Sequence, residues 1–212
     1  GGTGYNSNFI QEYNDYSIDL VDISKQMLKQ CQNSSINKVC KGMLEFLTVQ
    51  ESCCYDAIVC TWALMYEQPQ KVLNQCQRLL KNGGYLYILV NDQQTLPQIR
   101  KIYPKLLIEY VGSINKLMFD LPMPNNAQQL ERWAKKAGLK NCRVTSKKQE
   151  FYFTDWNRAA KFVTSTGALA GYDAMLDLKN EKIFNTLVEQ LQKFFTKPCI
   201  THHFVMGIFK KG

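Results

Sequence analysis

The sequence lacks the features that mark membrane, metal-binding or disulfide-stabilised proteins. None of its uninterrupted apolar runs reaches the roughly 20 residues that a membrane-spanning helix needs. It has only two histidines, His202 and His203, and its eight cysteines include no CxxC pair, which is poor spacing for a zinc site. We therefore expect no membrane span and no bound metal. The cysteines are interpreted as reduced thiols of an intracellular protein, either cytoplasmic or organellar.

Length and charge limit the function classes further. A chain of 212 residues with 45% hydrophobic and 21% charged residues suits one globular domain with a sizeable core. Its net charge of +8 allows an anionic partner. The basic residues are dispersed along the chain, however, which favours a solvated surface over a nucleic-acid groove. Nucleic acid is not excluded as a partner, and neither is another protein.

The N-terminal segment has the pattern of a nucleotide-binding β-α-β unit. Residues 1–4 (GGTG) form a tight glycine turn, and residues 18–22 (IDLVD) resemble a strand that ends in the carboxylate of Asp22. Glycines let the backbone approach a ligand, and a carboxylate can bind ribose hydroxyls. A helix N-cap is the alternative role for Asp22. The strand that should precede the turn is absent, so we expect an N-terminally incomplete domain that is part of a longer protein, with a strand supplied by another chain as the alternative.

Apolar runs alternate with segments of helical periodicity along the chain, which predicts an α/β fold with a mainly parallel sheet. The predicted strands are residues 16–21, 37–41, 55–60, 85–90, 139–153 and 200–209. The predicted helices are residues 5–14, 24–32, 69–81, 95–118, 127–137, 155–164 and 172–195. A glycine turn at residues 82–84 is expected to separate the third helix from the strand that follows it.

Four motifs, taken in order, resemble those of class I S-adenosylmethionine-dependent methyltransferases. Residues 1–4 resemble the glycine-rich first motif, and residues 22–28 (DISKQML) are similar to the second-strand signature D-x-S-x-x-M-L. Residues 55–59 (YDAIV) resemble the fourth strand, and residues 79–86 (LLKNGGYL) are close to L-L-K-P-G-G-x-L. The resemblance covers nearly the whole chain. It implies a Rossmann-like fold with a mostly parallel seven-stranded sheet, here without its first strand, and S-adenosyl-L-methionine as cofactor.

The same resemblance assigns the cofactor contacts. It implies that the glycine turn lies beside the methionine portion of the cofactor, that Asp22 binds the ribose hydroxyls and that Ile23 packs on the adenine. Many family members place an aspartate against the adenine amino group, whereas the aligned residue here is Met43, which weakens that contact. The expected cofactor-binding residues are Gly1, Gly2, Gly4, Asp22, Ile23, Met43, Leu44, Cys60 and Thr61.

The second half of the chain resembles the cap of small-molecule carboxyl methyltransferases, namely the trans-aconitate, malonyl-carrier and juvenile-hormone-acid groups. This implies cap insertions at residues 95–123 and 154–170, with a substrate pocket at the carboxyl ends of the strands. The expected pocket walls are Trp62, Tyr66, Phe153 and Trp156. Aromatic residues that only fill the core are the alternative interpretation of these walls.

The implied reaction is methyl transfer to a small molecule, at a carboxylate or another oxygen. A carboxylate is already ionised and needs little acid–base help, so no catalytic residue is assigned. A methyltransferase-like subunit with a binding or assembly role and little or no catalysis is the alternative, supported by Met43. Methylation of RNA or protein is less favoured. Residues 61–64 (TWAL) replace the Asn/Asp-Pro-Pro-Tyr/Trp motif that often serves the methylation of nucleobase amino groups.

Overall fold

The computed structural model of the protein describes residues 1–115, 121–165, 169 and 172–212, with only the backbone at residues 173 and 174. It contains two compact units. The first unit comprises residues 1–89, 130–144 and 207–212, and the second comprises residues 90–129 and 145–206. Parts of both predicted cap insertions, residues 116–120, 166–168 and 170, lie outside the described residues.

The first unit begins with the glycine turn and two helix–strand pairs. These elements are α1 (Tyr5–Gln11), β1 (Ile18–Asp22), α2 (Lys25–Gln30) and β2 (Ile36–Cys40). Helix α2 begins after Ser24, whose hydroxyl oxygen accepts a hydrogen bond from the backbone N–H of Met27 at 3.3 Å. Strands β1 and β2 pair in parallel, with Asp22 opposite Cys40, so both strands end at the same edge.

The first unit continues with a second set of alternating elements. These are α3 (Met43–Val49), β3 (Tyr55–Thr61), α4 (Pro69–Leu79) and β4 (Leu80–Asn91). Pro69 occupies the first turn of α4, where its missing N–H costs nothing. One side of α4 is buried through Val72, Leu73, Cys76 and Leu79, the three-to-four-residue spacing of an amphipathic helix. Strands β3 and β4 pair in parallel, with Thr61 opposite Leu89.

The second unit is built mainly from helices. The remaining elements of the chain are α5 (Pro97–Glu109), α6 (Ala127–Lys136), β5 (Leu139–Tyr152), α7 (Trp156–Ser165), α8 (Tyr172–Met175), α9 (Glu181–Phe194) and β6 (Cys199–Lys211). The core of the second unit is formed where α5, α7 and α9 bury their apolar sides together. Its members include Ile99, Ile102, Leu106, Ala159, Val163, Leu187 and Leu191.

The strands of the described residues form two sheets. Strands β1 and β2 form a two-stranded sheet, and the other four strands form a sheet of order β3-β4-β6-β5. The prediction of one mostly parallel seven-stranded sheet is therefore wrong, because no ladder of hydrogen bonds joins β1 to β3 in the described chain. We expected that a strand is missing between β1 and β3, and direct pairing of these two strands would have contradicted this. They do not pair in the described residues, so the missing strand stays a prediction.

Three local predictions differ from the structure. Residues 43–49 form α3, which the pattern did not predict; the backbone N–H of Gly42 donates to Glu45 Oε2 at 3.3 Å and stabilises its first turn. The turn expected at residues 82–84 does not end an element but lies inside β4. It corresponds to an irregularity of the strand, where Gly83 has a φ of 81° next to a shift in the register between β3 and β4. The predicted helix at residues 172–195 is two helices, since Asn180 caps α9 through its side chain.

Within the described part of the chain, none of the helices combines the length and the apolar character that crossing a membrane requires.

Candidate cofactor site

A carboxylate joins the glycine turn to the end of β1. The backbone N–H of Gly2 donates to Asp22 Oδ2 at 2.6 Å, and that of Ser24 donates to Asp22 Oδ1 at 2.8 Å. The Asp22 side chain is held from both sides yet remains 22% exposed, so a ligand can still reach it. The alternative role of Asp22 as a helix N-cap is wrong, because Ser24 is the N-cap of α2.

Backbone geometry explains the glycines of this turn. A Cβ atom on Gly1 would collide with the Val21 carbonyl, and one on Gly4 would lie 2.7 Å from Cys31 Sγ. Gly2 and Gly4 have φ angles of 61° and 81°, in the left-handed region that favours glycine. A Cβ atom on Gly2 would meet no atom within 4 Å, so this backbone borders open space from which a ligand can approach. The turn therefore fits a nucleotide-type cofactor.

The end of β3 is tied to the same region. Asn6, in the first turn of α1, donates from Nδ2 to Thr61 Oγ1 at 3.0 Å. Sequence reasoning named Thr61 but missed Asn6, whose only local signal is its position directly behind the glycine turn. The glycine turn thus contacts the end of β1 through Gly2, and the helix that follows it contacts the end of β3 through Asn6.

Trp62, directly after β3, has a backbone conformation that bulky residues rarely adopt. Its φ is 56°, and its backbone N–H donates to the Leu89 carbonyl at 2.7 Å. A left-handed conformation costs a non-glycine residue about 1–2 kcal/mol. Such residues cluster at ligand sites, where the surrounding structure holds them in place. The pattern predicted a role for the Trp62 ring but not this conformation.

The other predicted cofactor residues differ in exposure. The Ile23 side chain is 80% exposed beside Asp22, and its carbonyl accepts a hydrogen bond from Cys40 Sγ at 3.6 Å. Met43 and Leu44 are half-buried at the start of α3. Cys60 is buried, and burial raises the pKa of its thiol to about 11, so it contributes apolar bulk and no charge. Their contacts with the cofactor stay predictions.

The predicted substrate-wall residues divide between exposed and buried positions. In the first unit, the side chains of Trp62 and Tyr66 are 40% and 60% exposed. In the second unit, Phe153 is half-buried and Trp156 belongs to the core. The Trp156 indole N–H donates to the Phe195 carbonyl at 3.1 Å. The burial of Trp156 supports the core interpretation of this residue, and the wall role of all four stays a prediction.

The cysteines of the chain are not paired in disulfides. All eight cysteines are free thiols, with Cys31, Cys60 and Cys76 buried. Over the described ranges of the chain, no three His, Cys, Asp or Glu side chains are grouped so that they could hold a metal ion.

Comparison with known families identifies the segment that contains this site. Residues 1–88 match the family described as "Methyltransferase domain". The match covers 88 of the 212 residues. It indicates an S-adenosylmethionine-dependent transferase whose cofactor is S-adenosyl-L-methionine. The glycine turn, Asp22 and Thr61 all lie within the matched residues.

Solved structures share the fold of this chain over its whole length. One is the provisionally named sarcosine dimethylglycine methyltransferase from Galdieria sulphuraria, which is 16% identical in sequence and has a TM-score of 0.59. The alignment covers 100% of this chain and 76% of the Galdieria protein. The [4+2]-cyclase SpnF has 13% identity, coverage of 99% and 72%, and a TM-score of 0.61. Geranyl diphosphate C-methyltransferase from Streptomyces coelicolor A3(2), solved with S-adenosyl-L-homocysteine, has 12% identity, coverage of 100% and 68%, and a TM-score of 0.55. At these identities the likeness shows the fold alone. A search of curated proteins finds no match.

Proposed function

We propose that this chain transfers the methyl group of S-adenosyl-L-methionine to a small molecule, at a carboxylate or another oxygen. The observation that carries the proposal is the hydrogen bond between the Gly2 backbone and the Asp22 carboxylate, in a turn that borders open space. It occurs inside the segment that matches a methyltransferase domain. Two of the solved structures with this fold are named as methyltransferases of small molecules.

The chain's own residues would bind the cofactor in three places. The backbone of Gly1, Gly2 and Gly4 would lie along its methionine portion. The exposed part of the Asp22 carboxylate would accept hydrogen bonds from the ribose hydroxyls. Ile23, Met43 and Leu44 would contact the adenine, while Cys60 and Thr61 would border the sulfonium.

The chemistry of the transfer depends on position more than on proton transfer. When bound, the cofactor supplies an electrophilic methyl group; a C–O bond to the substrate forms as the C–S bond breaks, which leaves the neutral thioether. A carboxylate oxygen is already ionised, so the protein has to hold it in line with the methyl group and exclude water. Trp62 and Tyr66, exposed after β3, offer an aromatic surface for this purpose.

The test is methyl transfer from radiolabelled S-adenosyl-L-methionine to a panel of mono-, di- and tricarboxylic acids. We expect base-labile labelled methyl esters with at least one acid, and lower incorporation with the Asp22→Ala variant. The Lys140→Gln variant, an exposed change outside the predicted site, serves as the matched control. No binding of the cofactor at millimolar concentration would overturn the proposal.

A binding or assembly subunit with little turnover is the second candidate. Two observations favour it: Met43 stands where many family members have an aspartate, and the cyclase SpnF shows that the fold is not confined to methyl transfer. Tight cofactor binding with no methylation of small acids would support this candidate. Methylation of RNA or a protein by the same preparation would support the third, less favoured one.

A further inference from the structure

The second unit contains an open surface cavity, lined by polar and charged residues, that the cofactor site does not include. Its volume is about 230 Å³, and its lining includes Asp92, Asn126, Ser146, Lys147, Lys148 and His203. These residues come from the end of β4, the start of α6 and the middles of β5 and β6. The volume is below the roughly 300–1,000 Å³ of pockets for drug-sized ligands, which limits the occupant to a small metabolite.

Asp92 is the most unusual residue of the cavity wall, because it is a carboxylate that is only 3% exposed. Its Oδ1 accepts a hydrogen bond from the Gln94 backbone N–H at 2.8 Å, and its own N–H donates to the His203 carbonyl at 3.2 Å. Burial raises the pKa of Asp92, while the nearby His203 and Arg100 act in the opposite direction. A buried carboxylate of this kind is stabilised by a cation or by a strong hydrogen-bond donor.

The same cavity also presents positive charge. Lys147 and Lys148 line the cavity from β5. Lys148 Nζ forms an ion pair with Glu150 at 3.1 Å, whereas Lys147 forms no ion pair within the described residues, so Lys147 is chosen as the anion ligand of the proposal. Ser146 Oγ accepts a hydrogen bond from the Ala127 N–H at 3.2 Å, and Asn126 Oδ1 accepts one from the Gln129 N–H at 3.0 Å. The start of α6 is thereby fixed against the cavity wall.

We propose that this cavity binds a small zwitterion of the amino-acid class, with its ammonium group on Asp92 and its carboxylate on Lys147. A purely anionic ligand would be repelled by Asp92, and a purely cationic one by the lysines. A zwitterion satisfies both charges within the observed volume. The proposal does not rest on the methyltransferase activity, because no residue of the predicted cofactor site lines the cavity.

The first test uses the unmodified protein and an equimolar mixture of the twenty common amino acids, observed by saturation-transfer NMR. We expect at least one of them to bind. Titration calorimetry of that amino acid should then show at least tenfold weaker binding of its N-acetyl derivative and of its methyl ester, since each lacks one of the two charges. No binding at millimolar concentration, or equal binding of either derivative, would overturn the proposal.

The second test uses variants matched to the contacts. Asp92→Asn keeps the Oδ1 acceptor for the Gln94 N–H while removing the charge, so the turn is preserved and we expect at least tenfold weaker binding. Lys147→Gln should weaken binding several-fold, and Lys140→Gln should not change it. Cofactor affinity should be unchanged in all three variants, which separates this site from the proposed methyl-transfer site. Should Asp92→Asn not fold, Lys147→Gln and the two derivatives decide the question, and wild-type affinity in Lys147→Gln would count against the proposal.

Discussion

At the scale of single residues, Asp22 combines a structural and a binding role. Its two carboxylate oxygens accept hydrogen bonds from Gly2 and Ser24, so the side chain organises the turn and the start of α2 before any ligand arrives. A preorganised acceptor loses little freedom on binding, which favours affinity. The Asp22 side chain thus links the local structure of the first unit to its proposed function.

Replacing this carboxylate should weaken cofactor binding. We expect Asp22→Ala to reduce the affinity for S-adenosyl-L-methionine by roughly 2–3 kcal/mol, the scale of hydrogen bonds to a charged group. Titration calorimetry of both proteins measures this. Asp22→Asn, which retains an acceptor for Ser24, separates loss of charge from loss of the turn. Equal affinities of all three proteins would place the ribose elsewhere.

The glycines of the turn differ in what they tolerate. Gly4→Ala should lower the free energy of unfolding by about 2–4 kcal/mol, because it combines a left-handed backbone with overpacking against Cys31. Gly2→Ala should lower it by only about 1–2 kcal/mol, since its Cβ meets open space, and should act mainly on cofactor binding. Urea denaturation measures both changes. A larger loss of stability in Gly2→Ala would contradict the described geometry.

At the scale of elements, one arginine connects two helices of the first unit. Arg78, in the last turn of α4, donates from Nη1 to the Gln50 carbonyl and from Nη2 to the Leu47 carbonyl, both at 2.8 Å. Carbonyls at the end of a helix have no partner within it, so these bonds satisfy the carboxyl end of α3. Helix α3 precedes β3, and its start carries Met43 and Leu44.

Removal of this connection should destabilise the first unit. We expect Arg78→Met to lower the free energy of unfolding by about 2–3 kcal/mol, because two carbonyls lose charge-assisted hydrogen bonds. Arg132→Met, at an exposed position of α6, should change it by no more than about 0.5 kcal/mol. Urea titration followed by circular dichroism compares the two variants, and similar losses would show that the Arg78 contacts contribute little.

At the scale of the whole molecule, the predicted cap at residues 95–123 contains core residues of the second unit. Ile99, Ile102 and Leu106 on α5 have no exposed surface. Ile108 of the same helix is 78% exposed. A segment that supplies so much buried apolar area contributes to stability through the hydrophobic effect, whatever its role towards a substrate.

Deletion of residues 95–123 is therefore expected to unfold the second unit, and any loss of turnover would be a consequence. Near-ultraviolet circular dichroism should show the lost packing of its aromatic residues. Ile102→Ala should lower the free energy of unfolding by about 2–5 kcal/mol, and Ile108→Ala, the exposed control, by at most about 0.5 kcal/mol. A folded deletion variant that binds cofactor without turnover would instead support a removable cap.

Local signals in the sequence were sufficient for much of the fold and part of the site. A helix from residue 24, a helix from residue 69 and the strand that ends in Asp22 were all predicted, and the structure confirms them with Ser24 as the cap of α2 and Pro69 in the first turn of α4. Each depends on residues a few positions apart, where side-chain geometry acts directly on the neighbouring backbone. For the same reason the glycine turn and the carboxylate could be proposed together as a ligand site.

Only the tertiary structure decided which distant residues meet. The division into two sheets, the burial of Trp156 and the contact of Asn6 with Thr61 depend on pairings across many residues. The cavity of Asp92 and His203 joins positions more than 100 residues apart in the numbering. No spacing rule links such positions, because their approach depends on how packed elements share the available apolar surface. The sequence by itself determined the elements and a nucleotide-type turn, and packing determined where the remaining polar groups came together.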